Sequence, residues 1–225
     1  MSNYLDRSIK MLGNDKIQSF KDKVILVAGL GGVGGTALEV LARSGFNKFI
    51  LVDFDKVDES NLNRQILYTL KDVGKLKTEV AKERLLSINP DLDIKLINKK
   101  IDKNFFLEMD YPFDFVVDAI DFIEGKLAIY SYAIEENIPF ISSLGMGNRL
   151  DPSQVLITKL NKTEGDPLAR KIRYEAKQLN LDLNKINVAF SKEIPLIKSK
   201  EPGSMMMVPS TAGLLMAKYI IDNIK

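Results

Sequence analysis

The sequence has no cysteine and no histidine among its 225 residues. Without cysteine the chain builds no disulfide, no thioester or persulfide of its own, and no thiolate zinc site. Without histidine it lacks both the side chain that titrates near neutrality and the commonest metal ligand. Long apolar runs are missing too. Stretches such as Val24 to Ala28 have the length of a strand, far short of the roughly 20 residues that span a bilayer. The opening Met1-Ser-Asn-Tyr-Leu-Asp-Arg7 has neither an apolar core nor a small-residue cleavage site, so the expectation is a cytoplasmic chain without a signal peptide. Nor does one sign of charge dominate: 32 Lys and Arg stand against 30 Asp and Glu, and the net charge of +2 exerts little global pull on nucleic acid. Chemistry must therefore rest on carboxylates, ammonium and guanidinium groups, hydroxyls, backbone N–H groups and bound metal.

What is present is the balance of a globular protein, 45% hydrophobic and 28% charged. Apolar β-branched runs at 23–28, 48–52, 94–97, 113–117 and 139–143 read as strands, and 36–44, 75–88 and the dozen residues ending at Glu136 have helical spacing. This alternation predicts an α/β, Rossmann-like, doubly wound and mostly parallel sheet. Beyond Gly147 the character changes to a C-terminal extension. It has a strand at 154–159, a helix at 167–178, an irregular stretch at 185–202 with a lid suggested over 180–208, and a closing helix at 210–224. Three parts are expected: an amphipathic lead-in at 1–22, a core at 23–150 and a completing segment at 151–225. Met205 to Met207 read as core filler.

Gly29-Leu-Gly31-Gly32-Val-Gly34 follows a strand and opens a helix. Such glycines let the backbone approach a phosphate while the helix N-terminus offers free N–H groups. Asp53, at the end of the second strand, is placed to hold a ribose hydroxyl. Taken alone, this pattern suits a nicotinamide-dependent oxidoreductase. The following stretch does not, because Asn61, Asn63, Arg64, Gln65 and Lys77 bring two cations and three amides close together. Cations at a phosphate loop neutralise charge on a departing pyrophosphate, whereas a nicotinamide site has little use for cations beyond its own pyrophosphate. A surface ion pair of Arg64 with Asp53, Asp55 or Asp58 is the plainer alternative.

Read in order, Gly29 to Gly34, Asp53-x-Asp55, Asn61-x-x-Arg64-Gln65, Lys77 and Asp121 resemble the adenylating family of molybdopterin and thiamine sulfur-carrier activators and ubiquitin-activating enzymes. That resemblance implies an ATP site in which Asp53 holds the ribose and Arg64 and Lys77 hold the phosphates. It further implies that Asp121 binds Mg²⁺ and that Arg7 reaches across a homodimer interface into the partner's site. Asp118 is then either a second metal ligand or the cap of the next helix.

The C-terminal third narrows the resemblance. Ser142-Ser-Leu-Gly145-Met-Gly147-Asn-Arg149, Gly165-Asp166-Pro167 with Arg170 and Arg173, Pro202-Gly-Ser204 and Val208-Pro-Ser210 are similar to the tRNA threonylcarbamoyladenosine dehydratase branch. The resemblance implies that a threonyl carboxylate on tRNA is adenylated and then closed into a ring by its own carbamoyl group, so no enzyme thiol is needed. Some members of this branch carry a longer apolar C-terminal tail, and the end at Lys225 sets the expectation of no membrane attachment. Arg149, Arg170 and Arg173, with Lys159, Lys162 and Lys171, are either a solvated face or contacts to tRNA phosphates, and Arg170 alternatively belongs to the nucleoside pocket. Activation of a sulfur-carrier protein, with a sulfur-relay type of partner, remains the alternative function, and a non-catalytic partner of another activating enzyme is a third.

Overall fold

Residues 4–197 and 202–224 are described by a computed structural model. The amphipathic lead-in at 1–22 folds as two short helices, α1 (Asp6–Leu12) and α2 (Asn14–Lys21), which part at Gly13. Next come β1 (Val24–Ala28), α3 (Gly32–Arg43), β2 (Lys48–Val52), α4 (Lys77–Leu86), β3 (Asp93–Ile97), β4 (Phe115–Asp118), α5 (Ile123–Glu135) and β5 (Phe140–Ser143). The last third adds β6 (Val155–Lys159), α6 (Pro167–Gln178), β7 (Asn187–Ser191) and α7 (Met207–Asn223). All seven strands form one sheet in the order β3-β2-β1-β4-β5-β7-β6. Every pairing is parallel except β6 with β7. The doubly wound α/β expectation holds, with the extension continuing the same sheet.

Central strands read as unbroken apolar runs because helices cover both of their faces. Along β1, Ile25 and Val27 point into a core shared with α2, α3 and α7, while Leu26 and Ala28 point into one shared with α5 and α6. The first core contains Ala37, Leu38 and Leu41 of α3 and Ala212, Met216 and Ile220 of α7. Thr36 Oγ1 lies 3.3 Å from Ser210 Oγ between the same helices. Burying these surfaces removes apolar area from water at about 25 cal/mol per Å².

Two expectations fail. The stretch at 185–202 is not irregular throughout, because Asn187–Ser191 inserts as β7 between β5 and β6. Met205, Met206 and Met207 are not core filler, being 53%, 39% and 45% exposed. Residues 198–201 of the suggested lid lie outside the described residues. Among the described residues no helix is long and apolar enough to cross a membrane.

Candidate active site

β1 and β4 are neighbours whose chains leave the sheet toward opposite faces, β1 into α3 and β4 into α5. Such a parting opens a crevice beyond the C-terminal ends of the strands. A cavity of about 140 Å³ lies there, lined by Gly29 and Gly31, by Asp53 to Asp55 after β2, by Gln65 and Lys77, and by Ala119 to Phe122 after β4. Lys99, Val52 and Ile101 complete the wall.

Steric fit explains the glycines. Gly29 has φ +85°, and a Cβ at Gly34 would stand 1.8 Å from the Gly29 carbonyl oxygen and 2.9 Å from Ala119 Cβ. The loop thus folds back on itself and presses against the chain leaving β4. Gly31, the N-cap residue of α3, offers no side chain to the first N–H groups of that helix, leaving them for an anion.

Asp53 is buried and accepts from the Leu30 N–H at 2.7 Å and from the Asp55 N–H at 2.9 Å. Burial pushes its carboxyl above the usual range, against the opposing pull of these N–H bonds and of Lys77. Tyr68 donates to the Leu30 carbonyl at 2.9 Å, so the loop is held from both sides. Desolvation pushes the Tyr68 phenol well above its ordinary value.

Lys77, at the start of α4, places Nζ 2.8 Å from Asp55 Oδ2; its side chain is 8% exposed and that of Asp55 49%. Gln65 is buried beside Gly31, where a Cβ would stand 3.7 Å from Gln65 Nε2. Among the described residues Gln65 Oε1 alone is a buried side-chain polar atom with no partner. Buried polar atoms in folded proteins are nearly always paired, so an atom left over inside a cavity marks a place for a ligand donor.

Arg64 and Asn61 do not line the cavity. The Arg64 guanidinium donates to the Ser60 carbonyl at 2.7 Å and to Asn63 Oδ1 at 2.9 Å. No ion pair of Arg64 with Asp53, Asp55 or Asp58 occurs among the described residues, so the plainer alternative for this arginine fails. Asn61 accepts from the Asp58 N–H at 3.2 Å and closes a one-turn capping box. Gly32 lies outside the lining, packed against the Arg64 carbonyl. Asn63 Nδ2 donates to the Ser204 carbonyl at 2.8 Å, tying this loop to the segment before α7. Arg7 stands exposed on α1, a helix without a buried residue.

Asp121 is exposed at the cavity and makes no hydrogen bond or ion pair among the described residues. No group of three carboxylates that could cage a metal occurs there either. Asp118 is neither an open metal ligand nor the helix cap expected of it. It is fully buried and bound to Lys126 at 3.0 Å, while the N-cap of α5 is Phe122.

The basic cluster divides. Arg149 is buried, with guanidinium bonds to the carbonyls of Gly145 (2.5 Å) and Glu193 (3.0 Å) and to Asp166 (3.3 Å). It therefore presents no free charge to a phosphate, and neither a solvated face nor a tRNA contact describes it. Arg173 donates to Thr163, whereas Arg170 lies exposed beside it at the start of α6.

One wholly buried charged group went unforeseen: Lys126, enclosed with Asp118, Ser142 and Tyr130. Lys126, Ile129, Tyr130 and Ala133 recur at the i, i+3, i+4, i+7 spacing of the buried face of α5, a signal that places this lysine inside.

The sequence profile of the ThiF family matches residues 5–221. A Bacillus subtilis tRNA threonylcarbamoyladenosine dehydratase is 32% identical over 98% of this chain and 94% of its own length. The solved structure of the E. coli tRNA N6-threonylcarbamoyladenosine dehydratase TcdA in complex with ATP superposes with a TM-score of 0.92. It is 32% identical, covering 98% of this chain and 93% of that one. Its AMP complex gives a TM-score of 0.91 at 32% identity, covering 97% of this chain and 92% of that one. The chain belongs to the ThiF family, in its tRNA threonylcarbamoyladenosine dehydratase branch.

Proposed function

We propose that this chain is an ATP-dependent ligase that dehydrates N6-threonylcarbamoyladenosine in tRNA by adenylating the threonyl carboxylate. The convergence of Lys77, Gln65 and the unpartnered Asp121 on one cavity against the glycine loop carries the reading. ATP lies with its phosphates against Gly29, Gly31, Gly32 and Gly34 and its ribose on Asp53, whose oxygens retain lone pairs beside the two N–H bonds. Lys77 exchanges part of its contact with Asp55 for phosphate oxygen, and Gln65 Oε1 accepts from the nucleotide. Arg64 swings from the Ser60 carbonyl to the leaving pyrophosphate, and Asn61 keeps its loop in shape. The donor set fits Mg²⁺, which is commonly held by one or two carboxylates plus phosphate oxygens and water, with Asp121 as the protein ligand. When bound, the ion supplies positive charge at the phosphates.

The threonyl carboxylate attacks the α-phosphorus, and pyrophosphate leaves. An atom of the substrate's own carbamoyl group then attacks the activated carbonyl, closing the ring and releasing AMP. Because that nucleophile is intramolecular, holding the geometry does much of the work, and the lack of cysteine and histidine is no handicap. In this reading residues 1–22 supply a homodimer contact through which Arg7 reaches the partner's site, 23–150 hold ATP, and 151–225 complete the acceptor side. Arg170 and Arg173 face the tRNA, in the cytoplasm. A sulfur-carrier protein is the less favoured substrate, since its more distant activators match a smaller part of the chain.

Nucleoside mass spectrometry of threonylcarbamoyladenosine-bearing tRNA, incubated with the protein and ATP, tests this. Loss of one water with stoichiometric AMP is expected, and an unchanged nucleoside would refute the reading. Asp121→Ala should lower AMP formation by about 100-fold or more, as removal of a transition-state electrostatic group does.

A further inference from the structure

Lys126 has no place in the steps above, yet it is wholly buried and its ammonium is fully occupied. Nζ donates to both Asp118 oxygens at 3.1 and 3.0 Å, to Ser142 Oγ at 3.2 Å and to the Ser143 carbonyl at 2.7 Å. Ser142 Oγ in turn lies 2.5 Å from Asp118 Oδ2 and 2.6 Å from Tyr130 Oη. The group therefore joins three elements: α5 through Lys126 and Tyr130, β4 through Asp118, and β5 through Ser142 and Ser143.

Both strands end at this point. Past Asp118 the chain runs through Ala119, whose N–H donates to the Ala28 carbonyl at 2.8 Å and which packs against Gly29 and Gly34, to Asp121. Past Ser143 it runs to the loop that Arg149 holds by the Gly145 carbonyl and that Asn148 fastens to Gly203 at 2.7 Å. One loop is a wall of the nucleotide cavity. The other belongs to the acceptor side.

We propose that Lys126 is a positioning residue, fixing these two loops in one register so that the carboxylate meets the α-phosphorus in line; this rests on the adenylation reading. Neutral groups of similar volume in place of both Lys126 and Asp118 would fill the space with little loss of stability, since a buried ion pair is often replaceable as a pair. They would not hold two strand ends at set distances, as directional bonds from one ammonium do.

Two variants test the proposal: Asp118→Asn with Lys126→Met, which removes both charges while nearly conserving volume, and Ser142→Ala, which removes one anchor on β5. Measurements are ATP affinity, kcat for AMP formation and KM for the modified tRNA. The double variant should keep ATP affinity and KM within about threefold, which is about 0.65 kcal/mol. Its kcat should fall about 100-fold, the effect of a misplacement near 1 Å. Ser142→Ala, which removes a hydroxyl without stranding an ammonium, should lower kcat about tenfold, again without loss of ATP affinity. A folded double variant or Ser142→Ala with parental kcat overturns the proposal. So does a fall in ATP affinity that parallels the fall in kcat, because it marks a general structural role. The parent protein, run alongside, separates the two readings: if it forms no AMP with modified tRNA, the adenylation reading fails first and this one with it.

Discussion

Asp55–Lys77 and Asp118–Lys126 are two aspartate–lysine pairs at the C-terminal edge of one sheet, at 2.8 and 3.0 Å. In the first, the carboxylate is 49% exposed and the ammonium lines a cavity. In the second, both side chains are 0% exposed, and serine and backbone oxygens fill the remaining directions around the ammonium. The chemistry of the pair is the same and the surroundings assign the work. A half-solvated partner lets go of its ammonium when a phosphate arrives, since water takes over the carboxylate. A fully enclosed pair cannot exchange partners without stranding a charge, and so it serves as a fixed joint.

Breaking each pair from its lysine side sharpens the contrast. Lys126→Met alone leaves Asp118 buried without its cation, and should cost about 3–5 kcal/mol of stability, read as a lower denaturant midpoint. That is a large share of the roughly 5–15 kcal/mol that holds a domain together, so reduced soluble yield is expected alongside. A midpoint equal to the parent's would mean that Asp118 takes a proton or another donor at little cost, and the two pairs would differ less than their burial suggests. Lys77→Ala should do the reverse. Asp55 falls back on water, stability changes by no more than about 1 kcal/mol, and AMP formation drops by about 100- to 1,000-fold. Stability lost without activity would make Lys77 a second joint.

The same contrast explains what could be read from the sequence. The glycine loop, β1, β2 and the position of Asp53 were legible because local rules fix them: an apolar run, a glycine turn, a carboxylate at a strand end; Lys77 stood out through the family resemblance. Arg149 was not, since its partners Glu193 and Asp166 come from other elements and only the folded chain shows that its charge is spent. β7 was missed for a related reason. Val188, Ala189 and Phe190 make a short apolar run, and what makes it a strand is pairing with β5 and β6, remote in sequence. The methionines at 205–207 misled in the other direction, because composition says nothing of which way a segment faces. Asp118 failed as a cap because its charge is answered from inside by Lys126.

A third ionic cluster lies between these extremes and gives the smallest expected effect. Glu39 on α3 binds Arg43 one turn on at 2.7 Å and Arg84 of α4 at 3.0 Å, and both arginines are about half exposed, at 51% and 41%. Burial raises the Glu39 carboxyl, yet the bonds from Arg84 and Arg43 outweigh it and hold the group below its ordinary value. A depressed carboxyl stabilises the fold above its unfolded-state value of 4.5, and that contribution is lost as pH falls through the folded value. Glu39→Gln should therefore cost about 0.5–1 kcal/mol near neutrality. The gap between variant and parent should close on acidification. Asp53, pushed upward by burial, runs the other way: its contribution is complete below 3.8 and is lost as pH rises through the folded value. Urea midpoints of parent and Glu39→Gln across the acid range separate the two carboxylates, because only the Glu39 component disappears in the variant. A gap that stays constant with pH would show that the two arginines contribute through packing of their stems rather than through charge.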